Sequence, residues 1–339
     1  MPIKTVIFIT ACLFSLYWLL FDNCRASEGK EHLGYIPQPI YPKRPQRILN
    51  FPQAYTVGEI RIASVSSDKT VRSVIELEGA AKGKVVVPAG KEVTLIASQR
   101  LFREPTLIAT LPADGIDCLA LNATSWADSE DGLLDRALSF AGHLSGLSAL
   151  VLDRSDATDA SIARAAELPN LQSLSAFSTM CEGGCLKQLG RLKKLRILRL
   201  GNSTLKEENL QYLSNLPQLE YLTINRSGLT DNGMKYLAKC HNLTALGIAK
   251  NPKVSDAGLI YLVSLKKLRY VDLAGTSITI PGLIRLKQNP ALAEICLPQL
   301  AYSRQEMDVL HQAFPKVLLY PRVKAHTDED AGTLFAPLH

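Results

Sequence analysis

The chain has 339 residues, 47% hydrophobic and 21% charged, a globular composition that excludes a disordered or collagen-like polymer. Aromatic residues make up only 6%, which leaves little for base stacking on single-stranded nucleic acid. The formal charge of +6 is too mild to point to a nucleic-acid partner.

At the N-terminus, Lys4 precedes an apolar run from Val6 to Phe21, closed by Asp22 and Asn23. As a helix this run reaches about 24 Å, short of the ~30 Å hydrocarbon core. A charged start, a short apolar stretch and a polar exit predict a secretory signal over residues 1–26, cleaved after Ala26; an uncleaved anchor is the alternative. Ile9-Thr10-Ala11-Cys12 imitates a lipidation box, but the apolar run continues well past Cys12. Cleavage would leave Cys118, Cys181, Cys185, Cys240 and Cys296 of the seven cysteines. An odd, irregularly spaced set is no disulfide framework, and no zinc-type spacing occurs. Cys181 and Cys185 can pair only if the backbone permits it; apolar packing is the expectation for Cys181 and Cys240.

Residues 27–53 carry five prolines (Pro37, Pro39, Pro42, Pro45 and Pro52) among polar and basic neighbours, which predicts an extended linker. Over residues 54–113, Gly58–Ala63 and Gly83–Ile96 read as strands, the latter turning at Pro88-Ala89-Gly90. This segment is expected to be a small β cap. Residues 114–322 are expected to hold the main domain, and 323–339 a polar tail.

The main domain repeats itself. Leu195-Arg-Ile-Leu198-Arg-Leu200 returns as Leu219-Glu-Tyr-Leu222-Thr-Ile224 and Leu243-Thr-Ala-Leu246-Gly-Ile248, each 24 residues on. Leu268, Leu292 and Val317 start further copies downstream, and Leu171, Leu147 and Ile116 upstream, giving nine strand starts. Second halves of the form Leu229-Thr-Asp231-Asn-Gly233-Met234 and Val254-Ser-Asp256-Ala-Gly258-Leu259 accompany them. In these motifs the chain resembles the leucine-rich repeat family, in the cysteine-containing form known from F-box proteins and from exported bacterial proteins. The resemblance covers residues 116 to about 320 and implies an α/β, right-handed solenoid with parallel strands on the concave side and helices on the convex side. An F-box-like segment is not evident, so the adaptor function of F-box proteins is not carried over.

Within each unit the leucines are read as core. Thr124, Ser155, Thr179, Ser203, Ser227, Asn251 and Thr276 leave the strand, where short polar side chains bond backbone in a tight turn. Asp159, Glu207, Asp231 and Asp256 stand where the outer helix starts and can cap free N–H groups. Leu210, Leu213 and Leu216 recur at every third residue, with Cys240 in the corresponding third place a unit later. Tyr212, Tyr236 and Tyr261 share one helix position and are expected to stack along the convex side.

Extended concave solenoid faces bind partners. The concave positions include Arg196, Arg199, Tyr221, Arg226, Lys250, Arg269 and Tyr270, a set suited to an acidic protein surface or an anionic glycan; Arg and Tyr are common binding hot spots. No nucleophile elbow, zinc-protease motif or phosphate loop is present. A Cys240–His241 hydrolase is geometrically poor, because adjacent helix residues diverge. The sequons at Asn122, Asn202, Asn225 and Asn242 lie mostly at strand turns and are read as incidental. The expectation is a non-enzymatic protein of the cell envelope, secreted or surface-tethered, with no cofactor or metal, binding a protein or anionic glycan. The alternative is an envelope scaffold acting through the convex tyrosines and the linker.

Overall fold

In the computed structural model of the protein, the described residues are 37–64, 74–122, 132–299 and 301–321. The expected signal and cleavage point, Thr124 and the tail after Lys324 lie outside them.

The repeat pattern maps directly onto strands. The third to fifth residues of the Leu-x-x-Leu-x-Leu segments form β6 (Cys118–Ala120), β7 (Ala149–Val151), β8 (Ser173–Ser175), β9 (Ile197–Arg199), β10 (Tyr221–Thr223), β11 (Ala245–Gly247) and β12 (Tyr270–Asp272); β13 (Glu294–Leu297) and β14 (Leu318–Pro321) follow. Each pairs in parallel with the next, with residues in equivalent repeat positions as partners, such as Leu198↔Leu222↔Leu246↔Val271. The same leucines are buried on the other side against the outer helices. This is a leucine-rich repeat solenoid, as the sequence implies.

Ahead of it lie β1 (Arg47–Asn50), β2 (Gly58–Ser64), β3 (Val74–Ala80), β4 (Lys84–Val87) and β5 (Lys91–Ala97). Antiparallel β3-β2-β5 is continuous with the solenoid because β5 pairs in parallel with β6. The cap therefore satisfies the edge of the first repeat strand directly. The turn at Pro88–Gly90 is present, with Gly90 at φ +76°. However, β4 does not join β5; it pairs with β1 in a separate two-stranded ribbon. Residues 47–50, read above as linker, are thus part of the cap. Helix α1 (Gln99–Arg103) packs against β2 and β5, and helix α2 (Thr106–Ala109) follows it.

The outer layer consists of α3 (Leu133–Ser139), α4 (Asp159–Ala163), α5 (Leu186–Leu189), α6 (Asp231–Leu237), α7 (Asp256–Leu259), α8 (Ile280–Ile284) and the closing α9 (Arg304–Ala313), together with 3₁₀ segments. The every-third-residue leucines have a specific outcome: residues Glu207–Asn215 form a 3₁₀ helix with Leu210 and Leu213 buried. Three residues per turn keep side chains at i and i+3 on one face, so a period of three suits this geometry better than α. Cys240 is buried as expected, and burial pushes its thiol up to about 12.

The turn residues behave as read. Ser155 Oγ donates to Leu152 O at 2.6 Å, Ser227 Oγ to Ile224 O at 2.7 Å and Thr276 Oγ1 to Leu273 O at 2.7 Å. Asn251 donates Nδ2 to Ile248 O at 2.9 Å and accepts from Ser227 N at 3.0 Å. Just before these residues the chain turns through the left-handed region at Arg154, Ser178, Asn202, Arg226 and Lys250, with φ of 50–58°. Side chains other than glycine are uncommon there.

The helix-start carboxylates cap, but not where the sequence places them. Thr158, Thr230 and Ser255 cap their own helices. The neighbouring carboxylates reach the following unit instead. Asp231 Oδ1 accepts from Ser255 N at 2.7 Å and Gly258 N at 2.9 Å, Asp256 Oδ1 from Thr279 N at 2.8 Å, and Glu207 Oε1 from Thr230 N at 2.6 Å. Glycine follows at Gly258 because a Cβ there would lie 2.3 Å from Asp231 Oδ1. The motif Leu-Thr-Asp-x-Gly therefore encodes a bond between units.

Candidate functional site

Three columns of side chains project from the strands on the concave side, one each from the positions preceding, opening and closing the strand. In the first column Arg196 and Glu220 form a bidentate pair, Nε–Oε1 2.9 Å and Nη2–Oε2 2.6 Å. Arg196 is only 8% exposed. Its remaining Nη1 donates to the carbonyl of Gln38 at 3.2 Å.

That contact belongs to a feature not foreseen from the sequence. The segment 37–46, expected to be an extended linker, lies along the first column of the repeat sheet. Gln172 Oε1 accepts from Ile40 N at 3.0 Å while its Nε2 donates to Ile40 O at 2.7 Å. Arg44 donates through Nε to Asp117 Oδ1 at 2.9 Å and through Nη2 to Gly146 O at 2.7 Å. Proline fixes φ and removes N–H donors, so this stretch stays extended and has few backbone groups to satisfy. Burial raises the pKa of the Tyr41 phenol, with Cys118, Glu92 and Asp117 adding to the effect. Arg47 completes the anchorage, with Nη1 2.8 Å from Asp117 Oδ2. Asp117, itself buried, also accepts from Val93 N at 2.9 Å.

In the second column Tyr221 and Tyr270, expected to be exposed, are 3% and 7% accessible. With Ile197 and Ala245 they form an apolar cluster separate from the main core. The parallel register makes these four residues neighbours, and strands about 4.8 Å apart bring such side chains into lateral contact. Arg199, in the third column, is half-buried. It interacts electrostatically with Asp153, which is buried and pushed up to about 6 by desolvation, against the pull of Arg199, Ser175, the Phe177 amide and Arg154. Asp153 Oδ1 accepts from Ser175 Oγ at 2.6 Å and from Phe177 N at 2.7 Å; its Oδ2 has no hydrogen-bond partner among the described residues. Asn225, at the same repeat position, performs the backbone task without charge, accepting from Ala249 N at 2.7 Å.

Arg226 and Arg269 are exposed and Lys250 is half-buried. Arg226 and Lys250 occupy adjacent left-handed turns at the C-terminal ends of their strands, whereas Arg269 lies in the first column. Of the seven residues predicted, Arg226, Lys250 and Arg269 are the more accessible basic positions, with Arg199 nearer the buried polar group. Arg196, Tyr221 and Tyr270 are buried within the face.

Cys240 and His241 diverge, the cysteine buried and the histidine exposed, so no nucleophile–base pair forms there. On the convex side Tyr212 and Tyr236 pack partly against the core while Tyr261 is exposed. No helix among the described residues is long and apolar enough to cross a membrane.

No protein-family model and no curated protein matches the chain. Among solved structures it is similar to the crystal structure of an internalin (inlF) from Listeria monocytogenes, with 20% identity and a TM-score of 0.36. That similarity covers 57% of this chain and 64% of the internalin chain.

Proposed function

We infer that the protein is a non-catalytic binding module, exported or surface-tethered, that captures an extended polypeptide on its concave face. The observation that carries this reading is the seating of residues 38–44. The face holds this stretch through backbone carbonyls and amides as well as charge, with Gln172 bonding both polar groups of Ile40 and Arg196 bonding the carbonyl of Gln38. Backbone recognition of an extended chain is chemistry that suits a protein ligand better than an anionic glycan. Beyond the seated segment, Arg226, Lys250 and Arg269 supply positive charge for an acidic stretch of such a partner. The apolar run at residues 6–21 supports export.

Crosslinking of the full chain in its native surroundings, followed by identification of the attached peptides, tests the reading. Partner peptides should map to β9–β13, and Arg226→Glu with Lys250→Glu and Arg269→Glu should reduce capture at least tenfold while leaving the circular dichroism unchanged. Undiminished capture by this triple variant would reject the basic concave patch. Crosslinks confined to Tyr261 and the outer helices would favour the scaffold reading instead.

A further inference from the structure

We propose that Cys181 and Cys185 are a cross-linking site, closed by a disulfide that fastens the turn after β8 to the start of α5. Their sulfurs are 3.6 Å apart and both residues are buried. Between them run Glu182, Gly183 and Gly184, with Gly183 at φ +90°, so the connecting backbone has the freedom to draw the sulfurs together.

The repeat supplies its own controls. Cys181 and Cys185 occupy the positions of Leu229 and Gly233, two units downstream. In that later unit the two positions touch: a Cβ on Gly233 would lie 2.6 Å from Leu229 Cδ1. Elsewhere the pair is Ala157 and Ser161, Leu205 and Asn209, Val254 and Gly258, or Ile278 and Gly282. In the last three units a large aliphatic residue faces glycine, and in no other unit are both positions cysteine. The unit of Cys181 and Cys185 also has a short outer element, since α5 is a single turn of four residues whose N-cap side chain makes no capping bond. A covalent tie at this point replaces helix length that neighbouring units possess.

Asp159 lies beside the two thiols, and the three side chains could together surround a metal ion. Its carboxylate already has another role. It accepts from Gly183 N at 3.0 Å and Cys185 N at 3.1 Å, the same service that Asp231 and Asp256 give the next unit where no cysteine is present. Two cysteines remain as the special feature, which is the stoichiometry of a disulfide. The hydrogen bond to Cys181, together with burial and the nearby Asp159, holds the Cys185 thiol well above its usual range, so closure belongs to folding, while the segment is still open, rather than to attack on the finished fold.

The chemistry balances with a small disulfide such as oxidised glutathione. One cysteine thiolate displaces a glutathione thiol and forms a mixed disulfide. The second cysteine sulfur then displaces the other glutathione. Two S–H bonds and one S–S bond are lost, one S–S bond and two glutathione S–H bonds form, and the protein sulfurs are oxidised as glutathione is reduced.

The test uses the full chain, unfolded in urea under reduction and refolded in a glutathione redox buffer. Thiols are then blocked with N-ethylmaleimide and the chain is cut with trypsin. Cys181 and Cys185 fall in one fragment, Ala165 to Lys187. This fragment should carry no maleimide and lack the mass of two hydrogens, and should take up two maleimides after reduction. Cys181→Ser should leave Cys185 alkylated or glutathionylated. The folded control is Cys181→Leu with Cys185→Gly, which installs the pair found at 229 and 233; it should match wild type at Cys118, Cys240 and Cys296. Two maleimides on the fragment from refolded protein would overturn the proposal. So would refolding with zinc chloride that yields one retained zinc per chain, lost in Cys181→Ser, because the cluster would then be a metal site.

Discussion

From β5 to β8, contacts join residues far apart in the chain: Arg44 and Arg47 converge on Asp117, and Ile40 meets Gln172 across 132 positions. From β9 to β12, Arg196 meets Glu220, Asn225 meets Ala249, Ser227 meets Asn251 and Asp231 meets Ser255, each 24 residues on. One end is held by a few non-repeating ties of high sequence separation, the other by many equivalent ties between neighbours. In the second kind of region the loss of one tie is shared along the array. In the first, a single buried carboxylate holds cap, strap and first repeat together. That contrast gives a ranking of expected effects.

The largest belongs to Asp117. Replacing it with alanine leaves the buried Arg47 guanidinium without an anion and Arg44 with only the exposed Asp114 at 3.8 Å, and breaking such a buried pair costs roughly 3–5 kcal/mol. Urea unfolding monitored by circular dichroism should show this loss, together with early protease cleavage between residues 37 and 53. A loss below about 1 kcal/mol would mean that the non-repeating end is not held through this carboxylate.

A smaller effect is expected at Asp153, where the two regions meet. Its folded-state pKa, about 6, is raised above the ordinary 3.8 by burial. A raised carboxylate pKa gives stability that is complete below pH 3.8, declines as pH rises, and is gone above about 6. Over that window wild type should lose on the order of 2–3 kcal/mol relative to Asp153→Asn, at about 1.4 kcal/mol per pKa unit. Parallel stability profiles for the two proteins from pH 4 to 7 would show that Asp153 titrates normally.

The smallest belongs to the repeating end. Asp231→Ala removes a cap that serves the next unit, at a cost of about 1–2 kcal/mol. Hydrogen exchange should rise at Ser255 and Gly258 rather than at the start of its own helix, α6. Faster exchange confined to residues 231–234 would return the carboxylate to its own helix.

How much of this can be read from sequence follows the same division. Wherever the determinant recurs every 24 residues it is visible: the strand leucines, the turn hydroxyls and the three-residue leucine spacing all report local geometry. The helix-start carboxylates are visible as a column, but their partner lies one unit away, and nothing in a single unit points forward to it. Residues 37–50 are opaque for a different reason. Their prolines forecast extension correctly, yet extension is equally the state of a free linker and of a chain laid on a sheet. What separates the two is Gln172, Arg196 and Asp117, which look like ordinary variable positions of the repeat. The accessibility of Tyr221 and Tyr270 was likewise lost to lateral packing, which depends on the neighbours at Ile197 and Ala245 rather than on strand alternation.

The seated segment has a consequence for concentration. A short tether holds a binding sequence near its site at an effective concentration on the order of millimolar. A free chain competing for the same column, with equal intrinsic affinity, would reach half occupancy only at about that concentration. On the proposed reading, a peptide partner of the first column between β6 and β9 must bind far more tightly than the protein's own residues 38–44 to displace them at ordinary abundance. Discrimination of this kind comes from competition within the chain, and it would persist even if no individual contact on the face distinguished one sequence from another.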